Sequence, residues 1–353
     1  MTDLLVAGAG MAGLAAAAEA RALGASVTIV ERGDRAGGSM LLSSGVVWRY
    51  RDFDRFRAEC PDGDPALQRP VFENLDRDLR WLESLGAHVV ARETGNPLTV
   101  GVRFDRRSVV DALLQGGTEV RLGAPLHDLP ERGPVVLATG GFQADRELVR
   151  EHVTPEADHL LLRAAPWSAG DGLRVGLAAG ASLSAGMEQI YGRNMPAPPA
   201  RVDEREFVRL AQLYAHHATV MNKRGEPYVA RNWSEIDVVQ WTARQPRARA
   251  WFEVRRPALS ERVRDRTVAE MIEAAARAGA PVERSSHSVR IETVAGITST
   301  LGGLRIDEHG RVADGVFAAG GDAGGIATGG YASGLASALV MGRIAARSAL
   351  GLA

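Results

Sequence analysis

A short apolar strand, Leu4 to Ala7, runs into Gly8-Ala9-Gly10-Met11-Ala12-Gly13, an alanine-rich helix stopped at Gly24, and a second strand, Val27 to Glu31. This order is a complete βαβ unit, and it constrains the fold more than anything else in the chain. Gly8 allows a tight turn, Gly10 lets backbone approach a pyrophosphate, and Gly13 lets helix and strand pack closely. Met11 and Ala12 open a helix whose first N–H groups have no partner inside it, an arrangement suited to phosphate. Glu31, eighteen residues beyond Gly13 and followed by Arg32, is placed to accept a hydrogen bond from a ribose hydroxyl. A dinucleotide is therefore expected here. The rival reading, a secretory leader, fails because Asp3 stands where a leader carries positive charge.

The 353 residues suffice for one large or two ordinary domains. With 42 Lys and Arg against 43 Asp and Glu, no bulk attraction to nucleic acid or membrane is implied. The single cysteine, Cys60, excludes internal disulfides, a CxxC redox pair and a multi-cysteine metal site; no metal is expected. No leader or membrane-length segment is read, so a cytoplasmic location is the expectation.

Beyond the first unit, Cys60 to Gln68 reads as loop, and Phe72, Leu75, Leu79 and Leu82 fall at helical spacing up to Gly86. His88 to Ala91 and Glu119 to Leu122 read as strands, Arg107 to Leu114 as a helix, and Pro134 to Ala138 as a buried strand. A helix over Gly172 to Ala179 follows Gly170-Asp171-Gly172, with Asp171 as its expected N-cap. From Gly186 the texture changes: a proline loop, then an amphipathic helix carrying Phe207, Leu210, Leu213 and Tyr214, then dense arginine. Glycine-rich sequence returns near Gly296. The expected fold is α/β, a Rossmann-like domain formed by both chain ends (residues 1–185 and 296–353), with an inserted smaller α+β cap over residues 186–295.

Four further segments join the first: Gly37-Gly38-Ser39 with Ser43-Ser44-Gly45; Ala138-Thr139-Gly140-Gly141; Thr300-Leu301-Gly302-Gly303; and Ala318-Ala319-Gly320 with Tyr331-Ala332-Ser333-Gly334. In this order they resemble the fumarate reductase/succinate dehydrogenase flavoprotein family, particularly soluble members such as the tricarballylate and ketosteroid dehydrogenases. The resemblance is close at both chain ends and loose in the middle. It implies that FAD is the cofactor. Ser39 and Ser43-Ser44-Gly45 would line the isoalloxazine and ribityl chain, and Thr139-Gly140 the adenosine side. Gly334, Leu335, Ala336 and Ser337 would turn a helix N-terminus toward the flavin N1/C2 edge, where reduction places negative charge. No histidine lies between Gly33 and Tyr50, where membrane-bound relatives attach flavin, so the FAD is expected to be non-covalent.

The departures are informative too. Relatives carry Asp, Glu or Asn directly after the Ala-Ala-Gly turn to hold ribityl hydroxyls; this chain has Gly321 there and Asp322 one place later, an expected substitute. The β-meander before the Ala-Thr-Gly-Gly strand shrinks to Pro125 to Pro134, and the cap is short. The histidine of the His-Thr-x-Gly-Gly motif is Ser299; the earlier family histidine falls near Tyr191-Gly192-Arg193, and a family glutamate falls at Arg231. These replacements argue against succinate–fumarate chemistry.

Tyr331, ten residues after Gly321, matches the spacing at which the resembling dehydrogenases hold a tyrosine beside the flavin, and a phenol there polarises a carbonyl. Its plainer role is packing on the flavin edge. Arg193, beside Tyr191, and Arg256 are candidate carboxylate anchors, since a guanidinium binds carboxylate through a planar fork, although most arginines are solvated surface residues. Trp48 and Tyr50 are candidates for the substrate side of the flavin. Trp233 and Trp241 read as core, and His216-His217 forms no i,i+4 chelate. The resulting expectation is hydride transfer between flavin N5 and a carbon next to a carbonyl or carboxylate, on a small-molecule substrate. No second nucleotide motif is present, so the electron partner stays open. The alternatives are an FAD-binding interaction module without turnover and an NAD-dependent dehydrogenase.

Overall fold

The computed structural model describes residues 2–229 and 235–352; Arg231 and Trp233, both singled out above, lie outside the described residues. The chain divides into two compact units. One comprises Met1–Asp145, Ala165–Gln189 and Ser299–Ala353, and the other Arg146–Ala164 and Ile190–Thr298. The boundaries differ from those expected, because Arg146–Ala164 groups with the middle of the chain. Leu161–Leu162 explains this, since it adds a short parallel strand to Ser288–Thr300 through Gly296 and Ile297.

The first unit is built on a six-stranded sheet in the order Arg311–Ala313, Val316–Ala318, Val135–Leu137, Leu4–Ala7, Val27–Glu31, Glu119–Leu122. All its pairs are parallel except the first, which is antiparallel. Strands from both chain ends thus become neighbours, as Val316 pairs with Val135 and Val135 with Leu5. The near-continuous apolar runs of the central strands fit burial on both faces. Two helices, Met11–Ala22 and Gly334–Ala349, pack against each other with little between them: a Cβ added at Gly342 would stand 2.4 Å from Ala12 O. Behind them Arg343 donates to Glu19 at 2.7 Å and pairs with Asp78, while burial pushes the Asp78 carboxyl above its ordinary range against the pull of Arg343. A three-stranded antiparallel sheet, Val46–Tyr50, Thr99–Phe104 and Val89–Ala91, completes this unit.

Two local expectations need correction here. Residues after Asp64 are not loop but the start of the long helix Pro65–Ser84, because Asp64 caps Ala66 N–H at 2.8 Å and Pro65 sits at the first position, where its missing N–H costs nothing. Asp171 is not an N-cap. The helix Asp171–Ala178 is preceded by Gly170 in the left-handed region, and Asp171 is its first residue.

In the second unit Thr219–Met221, Arg249–Arg255, Ser288–Thr300 and Val282–Arg284 form an antiparallel sheet, with Ile190–Pro196 also paired to Ser288–Thr300. The helix Glu235–Ala243 lies on Ile190–Pro196, where Asn194 Nδ2 donates to Thr242 and Thr293 hydroxyls at 2.9 and 3.0 Å. A capping box of Thr267 and Glu270 starts the helix Val268–Arg277. The amphipathic helix expected around Phe207 to Tyr214 does not form. That segment is a turn followed by irregular backbone between two 3-10 pieces; Phe207, Leu210, Leu213 and Tyr214 are buried all the same, and Gln212 N–H bonds Asn194 O at 2.9 Å instead of the preceding turn. His216 and His217, in a 3-10 turn, lie with ring centroids 3.9 Å apart and planes tilted by 44°. Among the described residues no helix is long and apolar enough to cross a membrane.

Candidate functional site

The first glycine turn is shaped by what a side chain would strike. At Gly8, with φ +104°, a Cβ would lie 2.1 Å from Ala138 O, and at Gly13 one would lie 1.8 Å from Gly8 O. At Gly10, between them, a Cβ would meet nothing within 4 Å. Two of the glycines serve packing, and the third keeps open the space in front of the helix start at Met11 and Ala12. That helix has no side-chain cap, so its first N–H groups remain available to an anion.

The second glycine loop sits directly on the first. Gly37 N–H donates to Ala9 O at 2.7 Å, and the Cβ direction of Gly38 approaches Gly10 Cα at 3.3 Å. Beyond it Ser39 Oγ accepts Ala165 N–H at 3.0 Å, while Ser43 Oγ donates to Met40 O and accepts Gly45 N–H, so both hydroxyls hold loop geometry. Ser44 is exposed. A Cβ at Gly45 would lie 2.5 Å from Phe104 O.

Glu31 is buried, and its two carboxylate oxygens accept Ala9 N–H at 2.7 Å and Gly33 N–H at 2.6 Å. One bond per oxygen leaves each with acceptor capacity, because an ionised carboxylate offers about four lone-pair sites. Glu31 lines a cleft together with Ala7, Gly8, Val30, Arg32, Ala124, Leu126, Thr139, Trp167 and Asp171. Across it Arg32 pairs with Asp171 at 2.7 Å. Trp167, Ala124 and Leu126 carry no motif and escaped the sequence reading. The one available signal for Trp167 is Gly33, where a Cβ would stand 2.4 Å from the indole.

Asp322 behaves differently from its expected role. It is fully buried, with Oδ2 accepting Thr139 N–H at 2.5 Å, Oδ1 accepting Gly141 N–H at 3.0 Å, and both oxygens within reach of the Thr139 hydroxyl. Burial nonetheless pushes its carboxyl above the ordinary range, and the hydrogen bonds pull the other way. A carboxylate so engaged holds Ala138-Thr139-Gly140-Gly141 and does not stand in as a free ribityl ligand. Gly321, in turn, has no room for the acidic side chain of the resembling sequences: a Cβ there would lie 2.5 Å from Gly140 C.

The last helix begins at Gly334, whose Cβ position is open, with Leu335, Ala336 and Ser337 in its first turn. Ser333 caps it, its Oγ accepting Ala336 N–H at 3.3 Å. Tyr331, two residues earlier, is half-buried, with its ring 5.8 Å edge-on from Trp48.

In the second unit Arg193 lies with its guanidinium 4.9 Å from the Tyr191 ring and donates to Gly192 O. Arg264, passed over in the sequence, stands near both. It adopts φ +60°, and its guanidinium, in a residue exposed overall, is pushed below the ordinary arginine range by desolvation and by the charge of Arg193. Arg256 is not part of this group: it is exposed and spends its fork on Ser285 O at 2.7 and 3.0 Å.

A family model described as FAD binding domain matches residues 3–108 and 86–337. The chain is 23% identical over 306 residues to the probable fumarate reductase Ifc3 of Shewanella frigidimarina (strain NCIMB 400), covering 71% of this chain and 50% of that protein. It therefore spans about half the length of that relative. Among solved structures, the open conformation of a flavocytochrome c3 fumarate reductase superposes with a TM-score of 0.73 at 21% identity, covering 99% of this chain and 78% of the other. The 3-ketosteroid-Δ4-(5α)-dehydrogenase of Rhodococcus jostii RHA1, in complex with 4-androstene-3,17-dione, gives 0.72 at 20% identity, covering 99% and 96%. These likenesses agree with the Rossmann-like fold expected from the glycine motifs.

Proposed function

Since the chain belongs to the FAD-binding-domain family, an FAD-binding group of flavoproteins, we propose that it is an FAD-dependent oxidoreductase acting on a C–C bond next to a carbonyl or carboxylate. The observation that supports this most is the contrast at the first turn: Gly8 and Gly13 admit no side chain, whereas the space at Gly10 is empty of protein for 4 Å. It is a cradle that a Cβ would fill and that backbone N–H groups face. FAD fits there with its pyrophosphate, and Glu31 retains acceptor capacity for a ribose. The FAD is held non-covalently, since no histidine lies between Gly33 and Tyr50.

When bound, the flavin supplies hydride exchange at N5. The protein's own part is to orient substrate and move a proton. Tyr331, half-buried ahead of the last helix, is the group proposed to donate a hydrogen bond or proton to the substrate oxygen. Arg193, with Tyr191 beneath its guanidinium, is the proposed anchor for a carboxylate. The N-terminal end of Gly334–Ala349 favours negative charge placed before it.

Purified protein should be yellow, with a band near ~450 nm, and acid or heat should release the pigment as free FAD. Colourless protein that cannot be reconstituted with FAD would overturn the proposal. Tyr331→Phe should retain FAD while losing on the order of 10²-fold in flavin reduction or reoxidation by unsaturated acids or ketones. Equal rates in stopped-flow would make Tyr331 a packing residue.

A further inference from the structure

The peptide of Tyr331 is gripped on both sides by groups that no cofactor loop uses. Its carbonyl accepts the Tyr50 phenol at 2.8 Å, and on its N–H side the chain runs against Cys60, whose thiol is pulled down in pKa by that N–H while burial pushes it up. Both side chains are buried, Tyr50 at 6% and Cys60 at 0% exposure, while Tyr331 itself is half-buried. The loop is pressed onto this spot: a Cβ at the preceding Gly330 would lie 1.7 Å from Glu59 O and 3.4 Å from Cys60 Sγ. On the far side Trp48 N–H reaches Ser333 Oγ at 3.4 Å, and the Trp48 ring lies against Tyr331. Burial pushes the Cys60 thiol up to about 12 and the Tyr50 phenol above its ordinary range. At neutral pH the phenol is therefore a donor, and the thiol is uncharged.

We infer that Tyr50 and Cys60 are positioning residues, a clamp on the Tyr331 peptide that presents its phenol at one fixed place ahead of the last helix. The inference rests on the reading of Tyr331 as the group that acts on substrate. A glycine-rich loop such as residues 324–330 has many accessible conformations, and a directed bond to its end together with close packing on Cys60 removes most of them. Core packing alone would not need that bond, because the Tyr50 ring also packs 5.3 Å from Trp48 and 5.7 Å from Phe56. The phenolic hydroxyl is thus separable from the ring.

The test uses the FAD-loaded protein with Tyr50→Phe, Cys60→Ala and Tyr331→Phe. Hydrogen exchange at Tyr331 and Ala332 should rise about tenfold in the first two variants, with Met11–Ala22 unchanged, as expected for local loss of one buried bond. A tyrosine beside flavin quenches its fluorescence by electron donation, so bound-FAD emission should increase in Tyr331→Phe and move toward that level in Tyr50→Phe. Unchanged exchange in both clamp variants overturns the inference, as does exchange that rises equally in Met11–Ala22, which marks ordinary core residues. Emission that rises in Tyr331→Phe but stays at the wild-type level in Tyr50→Phe overturns it also. If exchange rises locally while Tyr331→Phe leaves emission unchanged, the clamp stands and the role assigned to Tyr331 falls.

Discussion

The turn at Gly8–Gly13 and the turn at Gly320–Asp322 each bring a buried carboxylate against backbone N–H groups, yet the two carboxylates do different work. Glu31 takes one N–H on each oxygen and lines the cleft; Asp322 takes the Thr139 and Gly141 N–H groups, engages the Thr139 hydroxyl, and lines no part of that cleft. The first turn is arranged around space left for a ligand, and the second is arranged around itself. A buried acid near a nucleotide motif is therefore a ligand-binding residue only where acceptor capacity remains after the backbone is satisfied.

The glycines of the first turn offer the strongest way to break this contrast. Gly13→Ala drives a methyl into Gly8 O and should cost about 3 kcal/mol or more of stability. Gly10→Ala meets no protein atom and has an ordinary φ of −79°, so thermal unfolding should shift little, while FAD affinity should fall by roughly 10²-fold as the methyl occupies the pyrophosphate space. Equal effects of the two variants on stability, by calorimetry, would mean that Gly10 is a packing glycine like its neighbours.

Glu31→Ala comes next in size. Losing a charge-assisted ribose bond costs about 1.5–3 kcal/mol, or one to two decades in dissociation constant. The structure adds a second consequence, because Ala9 and Gly33 N–H lose their acceptor and the protein without FAD should also melt earlier. A lower melting temperature with an unchanged FAD dissociation constant, measured by fluorescence titration, would place Glu31 in the same class as Asp322.

The smallest effect is the pH dependence at Asp322. Its folded carboxyl lies above the ordinary aspartate value of 3.8, so folding favours the protonated form. That contribution is full below about pH 4 and is lost as pH rises through the raised folded value. Asp322→Asn should be less stable by about 1–3 kcal/mol, since an amide NH₂ replaces an acceptor that faces a backbone N–H. The deficit should narrow as pH rises, in urea unfolding at pH about 4, 6 and 8. A deficit that widens with pH would mean that hydrogen bonding outweighs burial there.

Legibility followed locality. Leu4–Ala7 and Val27–Glu31 were readable to the residue because apolar runs, glycine stops and an acidic end lie in short windows. The expected helix at Phe207 to Tyr214 was misread because its apolar spacing is that of a helix, while its backbone is claimed by Asn194, far away in sequence. Trp167 and Arg264 were invisible for the same reason, since each acquires its place from residues remote in the chain.

What the amino-acid order determined by itself was the βαβ start, the glycine turns and a dinucleotide site, because each depends on propensity and spacing over a few residues; the FAD was implied by the resemblance that the ordered motifs carry. Tertiary structure alone decided which of two buried acids keeps lone pairs for a ligand, why Gly321 replaces an acid, and what holds Tyr331. Those outcomes depend on which backbone groups from distant segments arrive within about 3 Å, the range over which a hydrogen bond or steric clash has any energy.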